Sequence, residues 1–239
     1  MKRIVITLIL LVVVLAVQSK TLIVYYSYTN NAHNIVNELT QQIEADVVRI
    51  EPAVKGLDYA ANNYAIGSAQ ISAIRNNPND AASYPEIDPV NVDHAEYDCI
   101  IIGAPLWWSN MAAPLQTYLF HNGASMAGKK IGLIVSSASS GIGGVEGDAK
   151  RLIPDGDFFS PSLWIRSSQT SNAAQMLSEW LKTIGYNTMT DIENTLTDQN
   201  IGKHTIFSIF GAMIAEEVFS LQNLEKGLYI INGKKIYVK

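Results

Sequence analysis

The residues best suited to chemistry fall in three short loops. The first is Ser27-Tyr28-Thr29-Asn30-Asn31-Ala32-His33, between an apolar run and a helical stripe. It offers hydroxyls on Ser27 and Thr29, side-chain amides on Asn30 and Asn31, and backbone N–H groups at a helix N-terminus. A phosphate suits that set, because it takes several hydrogen bonds and gains from the helix dipole. The polar N-cap of an ordinary helix would read the same way. The second loop spans residues 103–111 (GAPLWWSNM) and presents Pro105, Leu106, Trp107, Trp108, Ser109 and Asn110. Two adjacent tryptophans between a strand and a helix cannot both face one core. At least one is expected to be partly exposed, and a flat aromatic ring system is its natural cover. One indole in the core and one in a subunit interface is the alternative. The third loop, residues 136–144 (SSASSGIGG), carries Ser137, Ala138, Ser139, Ser140, Gly141 and Gly143. Residues this small let backbone amides approach a ligand closely.

None of the three is a nucleotide fingerprint. The third loop places Glu146 where a third glycine would be needed, and it follows a late strand. The first loop has neither Gly-x-Gly-x-x-Gly nor a Walker lysine, which disfavours a dinucleotide fold and a nucleoside-triphosphatase.

The elements that must position these loops alternate in type. Strands are expected at 21–26 (TLIVYY), 46–50 (DVVRI), 97–102 (YDCIII, stopping at Gly103), 130–136 (KIGLIVS) and 162–165. These are β-branched or fully apolar runs of strand length. Helices are expected at 30–43, 58–75, 113–120, 144–152 and 170–184; the last carries Met176, Leu177, Trp180, Leu181 and Ile184 on one face and ends at Gly185. Such a β-α-β-α order implies a doubly wound parallel sheet covered by helices on both faces. All three loops then follow strand carboxyl ends, where open α/β sheets bind ligands.

Composition narrows the function classes. The 239 residues are 48% apolar and 16% charged, which excludes a disordered chain and a low-complexity array. Lys plus Arg total 17 against 22 Asp plus Glu, so the net charge is −5 and no basic stripe points to nucleic acid. A single cysteine, Cys99, excludes an intrachain disulfide framework and lies in an apolar strand, as a small buried hydrophobe would. The four histidines show no metal-ligand spacing; His94, His121 and His204 are read as surface or cap residues.

The two ends of the chain differ from its middle. Lys2 and Arg3 precede an apolar run from Ile4 to Val17, shorter than the roughly 20 residues that span a bilayer, and Gln18-Ser19 follow. That is the pattern of a cleaved signal peptide over residues 1–19, so the mature chain is expected to be exported to the periplasm, the cell surface or the medium with no stable membrane span. An uncleaved segment would anchor it instead. Residues 186–239 read as a C-terminal extension, with a β-hairpin around Asn232-Gly233. The ending GLYIINGKKIYVK resembles the sorting tails of exported bacterial proteins; a hairpin capping a sheet edge is the alternative.

The three loops in this order resemble the flavodoxin family over roughly residues 20–185. YYSYTNNAHNIV looks like the family's phosphate loop, YDCIIIGAPLWWSNMAAPLQTYL resembles its next signature in a branch with a paired-tryptophan loop, and SSASSGIGG looks like its third loop. The resemblance implies a flavodoxin-like fold with a five-stranded parallel sheet, and FMN as cofactor. Residues 27–33 would hold the phosphate, and Trp107 or Trp108 would lie on the isoalloxazine. Residues 137–141 and Gly143 would line the pyrimidine side. It further implies low-potential electron transfer through the semiquinone and hydroquinone, to a redox partner protein or a small-molecule acceptor. Backbone groups near Ser109 and Asn110 are expected to turn toward the ring nitrogen on reduction. One departure stands out: Ala32 occupies the position of the last loop hydroxyl, so that either His33 or Asn34 compensates or FMN binds more weakly. The alternatives are an FMN-dependent NAD(P)H:quinone-type oxidoreductase and a binding module of the same fold without redox function.

Overall fold

The computed structural model describes residues 19–138, 141–186, 193–194, 204–208, 213–218, 227–231 and 234–238. Residues 1–18, on which the signal-peptide expectation rests, lie outside them, as do Ser139, Ser140 and the Asn232-Gly233 turn. The chain divides into two compact units between Trp180 and Leu181.

Strands and helices alternate in chain order through the first unit and to the end of a helix whose last three residues fall in the second. They are β1 (Thr21–Tyr25), α1 (Asn31–Thr40), β2 (Asp46–Arg49), α2 (Ala61–Asn76), β3 (Cys99–Trp107), β4 (Asn110–Met111), α3 (Ala113–Asn122), β5 (Lys130–Ser137), α4 (Gly143–Leu152), β6 (Asp157–Phe158), β7 (Leu163–Arg166) and α5 (Ala173–Thr183). The sheet order is β2-β1-β3-β5-β6, with β7 also on β5 and β4 on β3. Every pairing is parallel except β3 with β4. This is a flavodoxin-like α/β fold, but its sheet has seven strands rather than five. The expected fifth position is split: β6 pairs with the start of β5 and β7 with its end. The further strand arises because β3 does not stop at Gly103. It runs on to Trp107, since β5 continues to partner it as far as Pro105, and β4 folds back on Leu106 and Trp107. Gly103 is a close approach, not a terminator: a Cβ there would sit 2.8 Å from the Tyr25 Cβ.

Period-two alternation feeds two apolar layers. Leu22, Val24, Ile100, Ile102, Leu133 and Val135 belong to a core with Ile71 and Ile74 of α2, Leu115 and Leu119 of α3, and Val145 and Ala149 of α4. The opposite face is covered by α1 and α5. A Cβ on Gly103 would meet Val36 of α1, and one on Gly132 would meet Trp180 of α5. The Gln42 side chain donates to the Ala174 carbonyl at 2.8 Å, tying the end of α1 to α5. Cys99 is fully buried, and desolvation pushes its thiol up to about 12. His94 is not a surface residue: it is buried, with Nε2 2.9 Å from the Tyr118 hydroxyl and Nδ1 3.0 Å from the Ser125 hydroxyl.

In the second unit the hairpin is part of a larger sheet. Strands β8 (Glu193–Asn194), β9 (His204–Ser208), β10 (Met213–Val218), β11 (Gly227–Ile231) and β12 (Lys234–Val238) form the order β10-β9-β11-β12-β8. β11 and β12 pair antiparallel, with Ile231 opposite Lys234.

Candidate functional site

At the carboxyl edge of the first sheet lies a cleft of about 440 Å³, within the size range of small-molecule sites. Of the residues read from sequence, Ser27, Tyr28, Thr29, Asn31, Ala32, Pro105, Leu106, Trp107, Trp108, Ser137 and Ala138 line it. All three loops therefore meet in one place. Asn30, His33, Ser109, Asn110, Gly141 and Gly143 do not line it. Ser136, the first residue of the third loop, also lines it, and Tyr59, Ala60, Tyr64, Gly67 and Ser167 join the wall without having been read from sequence.

One end of the cleft is the N-terminus of α1. Asn30 enters the helix at φ 64°, and its side chain makes no cap bond. Asparagine tolerates this left-handed conformation, which is why it stands there. The Ser27 hydroxyl accepts the His33 N–H at 3.2 Å, while the N–H groups of Asn31 and Ala32 make no bond to another described residue. Orphan donors at a helix start carry a partial positive charge and suit an anion. The His33 imidazole is held elsewhere, 2.7 Å from the Tyr25 hydroxyl and 3.2 Å from the Asn37 amide. It does not stand in for the hydroxyl that Ala32 lacks, and neither does Asn34, which is exposed and off the cleft. A cation does lie behind this loop: Arg49, the last residue of β2, donates to the Ser27 carbonyl at 3.2 Å and pairs with Glu51 at 2.6 Å. Its place at a strand carboxyl end was the signal that could have found it.

The other end is aromatic. Trp107 packs its ring 4.8 Å from Tyr59 and 5.6 Å from Tyr26. Trp108 is 40% exposed and meets Tyr64 edge-on. One indole thus faces the interior and one the solvent, as adjacent tryptophans require. Trp108 and Ser109 form the two-residue turn of the β3–β4 hairpin, both at positive φ (46° and 64°). For residues other than glycine such a turn costs about 1–3 kcal/mol each. The indoles reach across because α2 has no side chain at Gly67, where a Cβ would stand 2.9 Å from Trp108. Tyr64 is carried to the cleft by a left-handed stretch, Asn62 to Tyr64, at the start of α2. That stretch also explains why a helix read from residue 58 begins later.

The third wall is smaller. Ser137 accepts the Trp164 indole N–H at 2.8 Å. The glycine with a steric reason here is Gly144, where a Cβ would lie 1.8 Å from the Ser109 carbonyl oxygen; Gly141 and Gly143 face open space.

Among the described residues no charged side chain lines the cleft. Two of its hydroxyls are shifted away from ionisation: burial raises Tyr59, and the hydrogen bond to Asp58 raises Tyr28. The Tyr59 hydroxyl is buried and makes no hydrogen bond of normal geometry to another described residue. The described wall presents hydroxyls, a side-chain amide and aromatic rings, groups that bind and orient a ligand. Among the described residues no cluster of His, Cys, Asp or Glu is arranged to hold a metal, and no helix is long and apolar enough to cross a membrane.

A parallel doubly wound sheet in the order β2-β1-β3-β5, with a cleft at its carboxyl edge, is a flavodoxin-like architecture. The flavodoxin family model matches residues 20–184, and the chain belongs to that family. A comparison with curated proteins found no match. Among solved structures, a candidate flavoprotein from Bacteroides eggerthii DSM 20697 is 24% identical with a TM-score of 0.55, covering 70% of this chain and 98% of that one. A flavoprotein from Lactobacillus acidophilus NCFM, in complex with FMN, is 21% identical with a TM-score of 0.51, covering 65% and 99%. At these identities the likeness establishes the fold.

Proposed function

We propose that the chain binds FMN in this cleft and serves as a low-potential electron carrier. One observation carries the reading: a single uncharged cleft joins unpaired helix N-terminal donors at one end to an aromatic wall at the other. A phosphorylated planar ligand matches both ends, and a fold relative is a flavoprotein in complex with FMN. The Ser27 and Thr29 hydroxyls and the N–H groups of Asn31 and Ala32 hold the phosphate, which carries about −1.5 to −2 charges. Trp107 and Trp108 face the ring, with Ser137 and Ala138 along its other edge. When bound, FMN supplies one-electron transfer. An uncharged cleft in a chain of net charge −5 opposes further negative charge on the ligand, which keeps its reduction potential low. Export, read from Lys2, Arg3 and the apolar run after them, belongs to the same proposal and places the donor and acceptor outside the cytoplasm.

Titration of FMN with the purified chain tests the reading. Quenching of flavin fluorescence to a one-to-one endpoint is expected, and an unchanged emission would end it. Mixing the FMN-loaded chain with NADPH separates the carrier from the reductase: no direct reduction is expected, and rapid bleaching would assign the chain to the FMN-dependent oxidoreductases instead.

A further inference from the structure

A turn made of Trp108 and Ser109 does not hold its shape by backbone preference, because positive φ favours glycine, asparagine and aspartate. Two side chains distant in sequence hold it instead. Arg75, from α2, donates through Nη2 to the Trp108 carbonyl and through Nε to the Asn110 side-chain oxygen at 2.7 Å. Asp148, from α4, accepts the Asn110 amide and the Met111 N–H, both at 2.9 Å and both on Oδ2. The other Asp148 oxygen is held by Arg151 at 3.1 Å. Asn110 is thereby gripped from both sides, and the carbonyl at the tip of the turn is engaged.

We infer that Arg75 and Asp148 are positioning residues of the cleft, fixing the hairpin so that the Trp108 indole stands as a rigid wall. Neither residue lines the cleft, so any effect they have on a ring ligand passes through the hairpin. The two acceptors on Arg75 are served by two N–H groups of one guanidinium, a fork that a lysine ammonium cannot reproduce. The held carbonyl also means that Trp108 does not turn toward a ligand without first leaving Arg75. The inference takes its ligand from the FMN reading and its geometry from the ligand-free chain.

The test uses the full chain with Arg75→Gln, Arg75→Lys and Asp148→Asn, each made alone and with Trp108→Ala. Acrylamide quenching of tryptophan emission reads the ligand-free wall, and FMN titration reads the loaded one. Stronger quenching is expected in all three single variants, with the increment absent once Trp108 is removed. FMN affinity is expected to fall about 10-fold for Arg75→Gln alone and less than about twofold beside Trp108→Ala, the coupling of residues acting through one another. Equal losses in both backgrounds, or unchanged quenching in both Arg75→Gln and Asp148→Asn, would overturn the role. Thermal unfolding reports any variant that does not fold, and Arg75→Lys, the milder change, then decides. A wild-type chain that takes up no FMN would refute the functional proposal, while quenching would still decide the positioning of Trp108.

Discussion

The two ends of the cleft are built on opposite plans. At the α1 end, donors are left open: Asn30 gives the helix no side-chain cap, and the amides of Asn31 and Ala32 make no bond to another described residue. At the hairpin end, polar groups are tied down by Arg75 and Asp148, and Gly67 and Gly144 remove the side chains that would push the turn away. Open donors cost stability in the empty protein and return it on binding, as an orphan helix N–H does when an anion arrives. Closed networks do the reverse: they spend side-chain bonds to keep a strained shape before any ligand arrives. One end is therefore built to make bonds with a ligand and the other to present a surface to it, and substitutions at the two should fail in different ways.

The largest effect is expected at the closed end. Gly144→Ala places a Cβ where the Ser109 carbonyl oxygen now sits, 1.8 Å away. Backbone cannot yield there without moving the hairpin, so unfolding in urea should show a loss of about 3 kcal/mol, the upper part of the range for overpacking. A variant as stable as the parent would mean that the hairpin is soft, and the contrast between the two ends would collapse.

A smaller effect of the other kind is expected at the open end. Ser27→Ala removes a hydroxyl that accepts the His33 N–H at 3.2 Å and lines the cleft. Stability should fall by about 1 kcal/mol from the freed helix donor. FMN affinity should fall by roughly 10-fold, the lower end for hydrogen bonds to a charged group. Calorimetric titration beside thermal melts separates the two. A loss confined to stability would make Ser27 an ordinary helix-start residue, the alternative that sequence alone left open.

The open end was more legible in sequence than the closed one, for a physical reason. Donors for a phosphate lie within a few residues at a strand-to-helix junction, so type and spacing reveal them together. Spacing alone does not show that Asn30 and His33 stand off the cleft wall: one takes a left-handed backbone, and the other aims its imidazole at Tyr25. The closed end depends on contacts across 33 and 37 positions, from Arg75 to Trp108 and from Met111 to Asp148, which no local pattern encodes. The strand-helix alternation was readable because β-branched runs and helical stripes are local. The extension of β3 beyond Gly103 was not, because whether a glycine ends a strand or admits a neighbour depends on Tyr25 from another strand.

The smallest effect should also be the only gain. Ala32 is 5% exposed and lines the cleft beside two unpaired amides, at the position where the family's loop resemblance calls for a hydroxyl. Ala32→Ser adds one donor without lengthening the side chain beyond a single atom, and helix α1 tolerates serine in its first turn. An extra hydrogen bond to a charged group contributes about 1.5 kcal/mol at the low end of its range, and the solvent that reaches this cleft reduces that, so FMN should bind about 2- to 10-fold more tightly. Riboflavin, which lacks the phosphate, should bind with unchanged affinity, and that control assigns the gain to the helix end. Equal tightening of both ligands would mean that the hydroxyl acts on the ring or the sugar chain, and the open donors of α1 would no longer be the phosphate site.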